Sequence, residues 1–282
     1  MSLLNNKIDF VAIVTVNMAN PNGDPLNGNR PRTDYSGHGE ISDVCIKRKI
    51  RNRMQDLGQA VFVQSADRSD DGCKSLSERA STGVGKIKDE EEYARIACEK
   101  WVDVRSFGQV FAFKSNEKSG VSVGVRGPVS VHQAVSVLPV EVHSIQITKS
   151  VNGEPSEKRS SDTMGTKHMV RFGVYKIKGA INVQLAQKTG FSGEDAEVIK
   201  ECLRTLFMND TSAARPDGSM QVVKLFWWAH NCPVGQYSSA KVHNSVHVAL
   251  PDNAGAEAID DVAQYIRQEE LPGLSCEVID GI

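Results

Sequence analysis

Asn20-Pro21-Asn22-Gly23-Asp24-Pro25-Leu26-Asn27-Gly28-Asn29-Arg30-Pro31-Arg32 separates an apolar run, residues 8–16, from a strongly basic one, residues 41–57. Two glycines, three prolines and four asparagines in thirteen residues exclude a regular element. Glycine supplies positive φ, proline removes donors, and asparagine tolerates left-handed turns. The stretch therefore reads as a shaped loop between a strand and a helix. Exposed amides and the guanidiniums of Arg30 and Arg32 suit phosphate. Composition by itself favours the plainer reading, a solvated Ω-loop.

Upstream, residues 7–17 alternate, with Ile8, Phe10, Ala12, Val14 and Val16 on one side, which predicts the first strand. Downstream, Ser42 is a good N-cap, Asp43 suits the first turn, and Gly58 lies just past the end. Ile46, Ile50, Met54 and Leu57 recur between them at helical spacing and predict a stripe packed on a sheet. Lys47 and Arg51 flank that stripe on one side, Lys49 and Arg53 on the other, and Arg48 points away. Five basic residues in seven fit either a nucleic-acid face or snorkelling helix flanks.

Residues 64–88 are rich in Ser, Asp, Gly and Lys and read as an exposed, mobile insertion. Residues 90–103 read as a helix with Tyr93, Ala94, Ala97 and Trp101 on one side. A β-rich run over 121–151, a polar stretch over 150–167 and an alternating run over 168–185 predict a long hairpin with a projecting tip, and Gly179 is a candidate bulge. Residues 193–207 predict a second helix and 220–230 a strand containing Phe226, Trp227 and Trp228. The order β-α-(insertion)-β-β-α-β is that of a ferredoxin-like fold. Residues 240–250, 254–269 and 275–279 are expected to add a strand, a helix and a final strand.

The chain has 282 residues, 40% hydrophobic and 24% charged, as expected of a soluble globular protein built on one large domain. No apolar run is long enough to predict a transmembrane helix, and the first residues lack a signal-peptide pattern. Six scattered cysteines without ligand spacing fit reduced thiols in a cytoplasm. The net charge of −2 counts against a uniformly basic nucleic-acid binder, but the charge is segregated. Residues 30–53 hold seven Lys/Arg against three Asp/Glu (+4), and 145–190 hold eight against three (+5). Residues 252–282 hold one against eight (−7). Such a chain can turn one face to a polyanion and another elsewhere, or stack basic face to acidic face with its own copies.

Little enzymatic chemistry is visible. Gly83-Val84-Gly85-Lys86 lacks the first glycine and the Ser/Thr of a phosphate loop. His243 and His247 share one face of a strand-like segment, with no neighbouring ligand to complete a metal set. Asp24 and Asp34 are read as turn formers. Arg171-Phe172-Gly173-Val174-Tyr175 only half fits the aromatic pattern of sheet-type RNA readers, so any RNA contact should be to backbone and shape. No cofactor or metal is expected.

Five motifs, in order, carry a family resemblance. They are Asn20-Pro21-Asn22-Gly23-Asp24-Pro25, SDVCIKRKIRNR from Ser42, DVRSFG from Asp103, GPVSV from Gly127 and MGTKHMVRFGVYKIKG from Met164. Together they resemble the crRNA-binding backbone subunit of type I-C CRISPR surveillance (Cascade) complexes, in the repeat-associated RNA-binding superfamily, over nearly the whole chain. The resemblance implies an α+β fold: a single domain, 1–282, with a ferredoxin-like (RRM-like) palm. A helical insertion, the fingers, is expected over 60–120, the tip of a thumb hairpin over 149–168, and a C-terminal extension of the palm over 252–282.

The resemblance also implies a function: a non-catalytic structural subunit that polymerises along guide RNA and presents it for pairing with target DNA in antiviral defence. The implied partners are crRNA, target DNA, copies of itself in a helical filament and other Cascade subunits, with no membrane. The expected RNA contacts are Asn22, Asn29, Arg30 and Arg32 of the opening loop, Lys47, Arg48 and Arg51 of the basic helix, then Arg105, Phe107 and Gln133. Lys158, Arg159, Met164, Lys167 and His168 belong to the thumb. The alternative is an RNA-processing or target-RNA-cleaving endoribonuclease on the same fold. Related type III subunits cut RNA with a first-loop aspartate, but type I relatives do not, so no catalytic residue is assigned.

Overall fold

The computed structural model describes residues 2–85, 87–112, 122–148, 164–252, 254 and 258–282. The chain begins with β1 (Ile8–Ala19), two short strands β2 (Gly23–Asp24) and β3 (Arg30–Pro31), then β4 (His38–Ile41) and α1 (Asp43–Asp56). Next come α2 (Leu76–Gly83), α3 (Glu90–Lys100), α4 (Val102–Phe107), β5 (Gly108–Phe111), β6 (Val123–Arg126), β7 (Val129–Val131), β8 (Ala134–Pro139) and β9 (Val142–Thr148). The 18-residue β10 (Met164–Ile181) leads to α5 (Val183–Thr189), α6 (Gly193–Arg204) and β11 (Met220–Ala229). Last are α7 (Ser239–Asn244), β12 (Val246–Val248), β13 (Ile266–Gln268) and β14 (Glu277–Asp280).

The central sheet runs β14-β11-β1-β10-β8-β4, with β7 and β9 also paired to β10 and every pairing antiparallel. Alternation along β1 sorts the core into two layers. Phe10, Ala12, Val14 and Val16 face Ile46, Ile50 and Met54 of α1 and Ile199 and Leu203 of α6. Val11 and Ile13 face the other way, with Phe172, Val174, Phe226 and Trp228, beneath Val242, Val262, Ile266 and Leu274. Helix α1 starts where Ser42 Oγ accepts from Cys45 N (3.3 Å), and α6 starts with a capping box between Ser192 and Asp195.

The second layer explains two departures from the sequence reading. Residues 240–250 are not one strand: Ser238 caps α7, and only Val246–Val248 is extended. Residues 254–269 are not a helix. Val262–Tyr265 is a 3₁₀ turn and Ile266–Gln268 a strand against β12. The 3.6-residue spacing of Val262 and Ile266 instead drapes apolar side chains over the far face of the sheet, which has to be covered.

The insertion has a core of its own, in which Phe62 packs on Trp101 and Phe111, with Tyr93 edge-on to Phe111. Residues 64–85, expected to be mobile, are organised by a buried arginine. Arg79 donates to Asp71, Phe62 O, Gln64 and Ser69. Its guanidinium holds the Asp71 carboxyl below the usual range. At Gly179 there is no bulge: the β1–β10 register runs through it. A Cβ there would lie 2.1 Å from Phe10 Cζ, so the missing side chain makes room for the ring.

Gly39 plays the same part beside Tyr175, where a Cβ would sit 2.2 Å from the phenol oxygen. That hydroxyl is buried without a hydrogen-bond partner, and burial pushes its pKa up. Tyr175→Phe is expected to raise stability by about 1 kcal/mol, because an orphaned polar group is removed at nearly constant shape. A urea-unfolding midpoint equal to or below that of the parent counts against this account.

Candidate nucleic-acid interface

The opening loop is pinned from within. Asn20 Nδ2 donates to Asn29 O (2.7 Å), and Asn22 Oδ1 accepts from Ser42 N (2.9 Å) at the start of α1. Gly28 and Asn29 both have φ +58°, closing the turn between β2 and β3. Asp24 caps the intervening 3₁₀ turn and meets Arg32 at 3.4 Å. Asp34 Oδ1 accepts from Ser36 N (2.8 Å) and His38 N (2.9 Å). Both aspartates thus have structural work, as turn chemistry predicts.

The hairpin stem is β9 against β10, with Met164 opposite Thr148 and His168 opposite Ser144. Residues 164–168 therefore lie in a strand. Residues 149–163, with Lys158 and Arg159, are outside the described residues. Alternation puts Ser144, Gln146, Thr166 and His168 on one side of the stem, and Ile145, Ile147 and Lys167 on the other. Gln146 Nε2 donates to Met164 Sδ (2.8 Å), and Met164 is exposed.

Loop and stem meet at Arg30. Its Nη1 donates to Ser144 Oγ (3.0 Å) and to His168 Nδ1 (3.3 Å), and Ser144 Oγ lies 2.8 Å from the same Nδ1. A guanidinium can only donate, so Nδ1 is the unprotonated nitrogen in this arrangement. Of the predicted contacts, Arg30 and His168 are therefore brought together across 138 residues. Ser144 joins them; nothing in the sequence marks it before the strand register is known. Arg30 and Lys167 have no carboxylate partner among the described residues.

The basic helix is different, because the fold uses its cations. Lys49 is buried against Asp210, and Arg53 is buried against Thr205 Oγ1 (3.0 Å) and Asp56 (2.7 Å). Burial lowers the Lys49 pKa, with Asp210 acting in opposition. Lys47 pairs with Asp43 (3.1 Å), and Arg48 Nη1 donates to Val63 O (2.7 Å). Arg51 meets buried Asp103 (2.9 Å) and lies over the Phe107 ring, 5.0 Å from its centroid. Arg105 grips Asp195 with contacts of 2.6 and 3.0 Å. Gln133 is exposed on the connection between β7 and β8.

His243 and His247 do not share a face: His243 is buried on α7, whereas His247 is exposed near Glu269 (3.1 Å). The described residues include no cluster of His, Cys, Asp and Glu that could hold a metal, and no helix among them is long and apolar enough to cross a membrane. Phe172 and Val174, where a sheet-type RNA reader would show its rings, are buried under the C-terminal layer.

A family model described as CRISPR-associated protein Cas7 matches residues 6–268. A curated CRISPR-associated protein Cas7 from Haloferax volcanii is 25% identical over 228 residues, covering 74% of this chain and 67% of that protein. A chain of a CRISPR RNA-guided surveillance complex, pre-nicking, aligns over 88% of this chain and 84% of its own, with 19% identity and a TM-score of 0.49. A chain of a second CRISPR RNA-guided surveillance complex aligns over 88% and 77%, with 18% identity and a TM-score of 0.47.

Proposed function

The chain belongs to the CRISPR-associated protein Cas7 family, and on that premise we propose that it is a non-catalytic, crRNA-binding backbone subunit of a type I-C surveillance complex. Copies repeat along the guide in the cytoplasm and leave its bases free to pair with target DNA. The path β11-β1-β10-β8, with helices α1 and α6 on one face, supports a ferredoxin-like palm. The segment containing α2–α4 corresponds to fingers, and the β9–β10 stem to the base of a thumb.

The observation that carries this reading is the junction of Arg30 with Ser144 and His168. It fixes the cation-bearing loop to a projecting hairpin, where Arg30 and Lys167 are left without acidic partners among the described residues. A groove closed by such a junction tracks phosphates and ignores sequence. Asn29, Arg32 and Gln133 add polar contacts, Met164 lies against a displaced base, and the neutralised cations of α1 contribute field more than direct contact.

The purified chain should bind guide-length single-stranded RNA with an affinity that falls steeply with salt and changes little with sequence. Each phosphate that a variant no longer neutralises should reduce the logarithmic salt slope by about 0.7. Arg30→Glu together with Lys167→Glu is expected to weaken binding of all sequences alike while the melting temperature stays within a few degrees. Strong preference for one sequence at fixed length and salt, or unchanged binding by the double variant, goes against the proposal. RNA shortened by the purified parent, and left intact by Asp24→Ala or Asp34→Ala, supports the endoribonuclease alternative.

A further inference from the structure

We infer that Tyr35 is a knob that enters a basic-rimmed cavity on a second copy of this chain, so that copies join head to tail. Tyr35 is the most exposed large hydrophobic residue among those described, at 112% of its reference area, and Leu26 in the same connection stands at 98%. Single exposed hydrophobic residues are ordinary on protein surfaces. Tyr35 differs because its backbone is stiff. Asp34 Oδ1 holds Ser36 N and His38 N, Asp34 N donates to His38 O (2.9 Å), and Gly37 N donates to Asp34 O (3.1 Å). A tyrosine on a closed turn offers large contact area at little entropic cost.

The occupant is argued from charge and position. Asp34 and Asp24 sit beside the two exposed side chains, which disfavours a polyanion and favours a basic partner surface. Such a surface exists on the chain itself, at a cavity of about 570 Å³ between α3, β6 and α5. Cys98, Val125 and Leu185 give it an apolar lining, and Arg126 and Lys188 at its edge have no acidic partner among the described residues. Glu91 is the one carboxylate that lines it.

Knob and cavity lie at opposite ends of the strands. His38 pairs with Pro139 and Ala19 with Val170, which places Tyr35 beyond the C-terminal end of β1. Ile8 pairs with Ile181 and Ile181 with Val129, which places α5 and Arg126 beyond its N-terminal end. Twelve strand residues at about 3.3 Å each separate the two ends by roughly 35–40 Å. Different patches at opposite ends form a heterologous contact, which propagates instead of closing.

This inference rests on the reading of the chain as a repeating RNA-bound subunit and adds the contact that joins the repeats. The test uses the full chain, one RNA long enough for several copies and one long enough for a single copy. Tyr35→Ala and the pair Arg126→Glu/Lys188→Glu should each cut multiple occupancy of the long RNA by about tenfold or more and leave short-RNA affinity unchanged. An equimolar mixture of the two variants should give dimers and nothing longer, because each variant keeps one competent end.

Multiple occupancy equal to the parent's in both variants, or no dimers in the mixture, overturns the inference. A matching loss of short-RNA affinity in Tyr35→Ala overturns it too and makes Tyr35 an RNA contact. A parent that binds no RNA sinks the functional reading instead. Sedimentation of concentrated protein then decides the contact, and absence of self-association in the parent overturns it.

Discussion

Asp103→Ala is expected to cost about 3–5 kcal/mol of folding stability, the range for breaking a buried ion pair from one side. Asp103 has no exposed area and accepts three hydrogen bonds, from Phe62 N (2.7 Å), Val63 N (3.1 Å) and Arg51 Nε (2.9 Å). Truncation leaves two backbone donors unpaired and the Arg51 cation uncompensated, 12% exposed above the Phe107 ring. Asp103→Asn keeps the volume and one acceptor, so its loss should be smaller. Hydrogen exchange at the Phe62 and Val63 amides should rise first, because these link the insertion to α1. A urea midpoint shift worth less than about 1 kcal/mol in Asp103→Ala would show that solvent or rearrangement replaces the carboxylate. The same network separates structural from RNA-facing arginines. Arg51→Ala should lose stability and RNA affinity together, whereas Arg30→Ala should lose affinity with little change in stability.

How much of this was legible depended on whether the signal was local. Ser42 with Ile46, Ile50 and Met54 announced α1 because cap and stripe lie within one element. The alternation of β1 and of the second half of β10 was equally plain. The fate of the basic residues was not, because Asp210, Asp103, Asp195 and Thr205, which hold Lys49, Arg51, Arg105 and Arg53, come from distant segments. Spacing put Lys49 and Arg53 on a flank of the stripe but could not show that α6 and its following turn would bury that flank. The C-terminal segment misled for a related reason: apolar spacing of four suited a helix, and only the uncovered sheet face decided otherwise. Of the junction, Arg30 and His168 stood within recognisable motifs. Ser144 became visible only once the hairpin register set it opposite His168.

Asp9→Ala should be nearly as damaging, by about 3 kcal/mol, and should change how the protein responds to acid. Asp9 is wholly buried on β1, with Lys7 Nζ at 3.0 Å, His230 Nε2 at 2.8 Å and His243 Nε2 at 3.6 Å. His230 Nδ1 accepts from Gln236 N (2.9 Å), so its Nε2 carries the hydrogen that points at Asp9. His243 Nε2 donates to Gly179 O (2.9 Å), and Lys176 Nζ clasps the end of α7 through His243 O (2.7 Å) and Val246 O (2.6 Å). Burial, aided by Lys178, brings the Lys176 pKa down to about 8, and the neutral amine still has two hydrogens for two carbonyls. The His243 pKa is also lowered, first by burial and further by His132 and Lys178, against the Gly179 carbonyl and Asp9. An unfolded histidine takes up its proton near pH 6.5, before the folded one does. Between those two pKa values the unfolded state holds more protons, so stability falls as pH drops below about 6.5 and is fully present above it. His243→Gln, which keeps a donor for Gly179 O, should lose part of this acid sensitivity. Asp9→Asn removes the charge that raises the His243 pKa, so its acid loss should extend to lower pH. Melting temperatures at pH 7.5 and 5.5 decide the matter, and parent and His243→Gln curves that fall in parallel would exclude His243 as the group responsible.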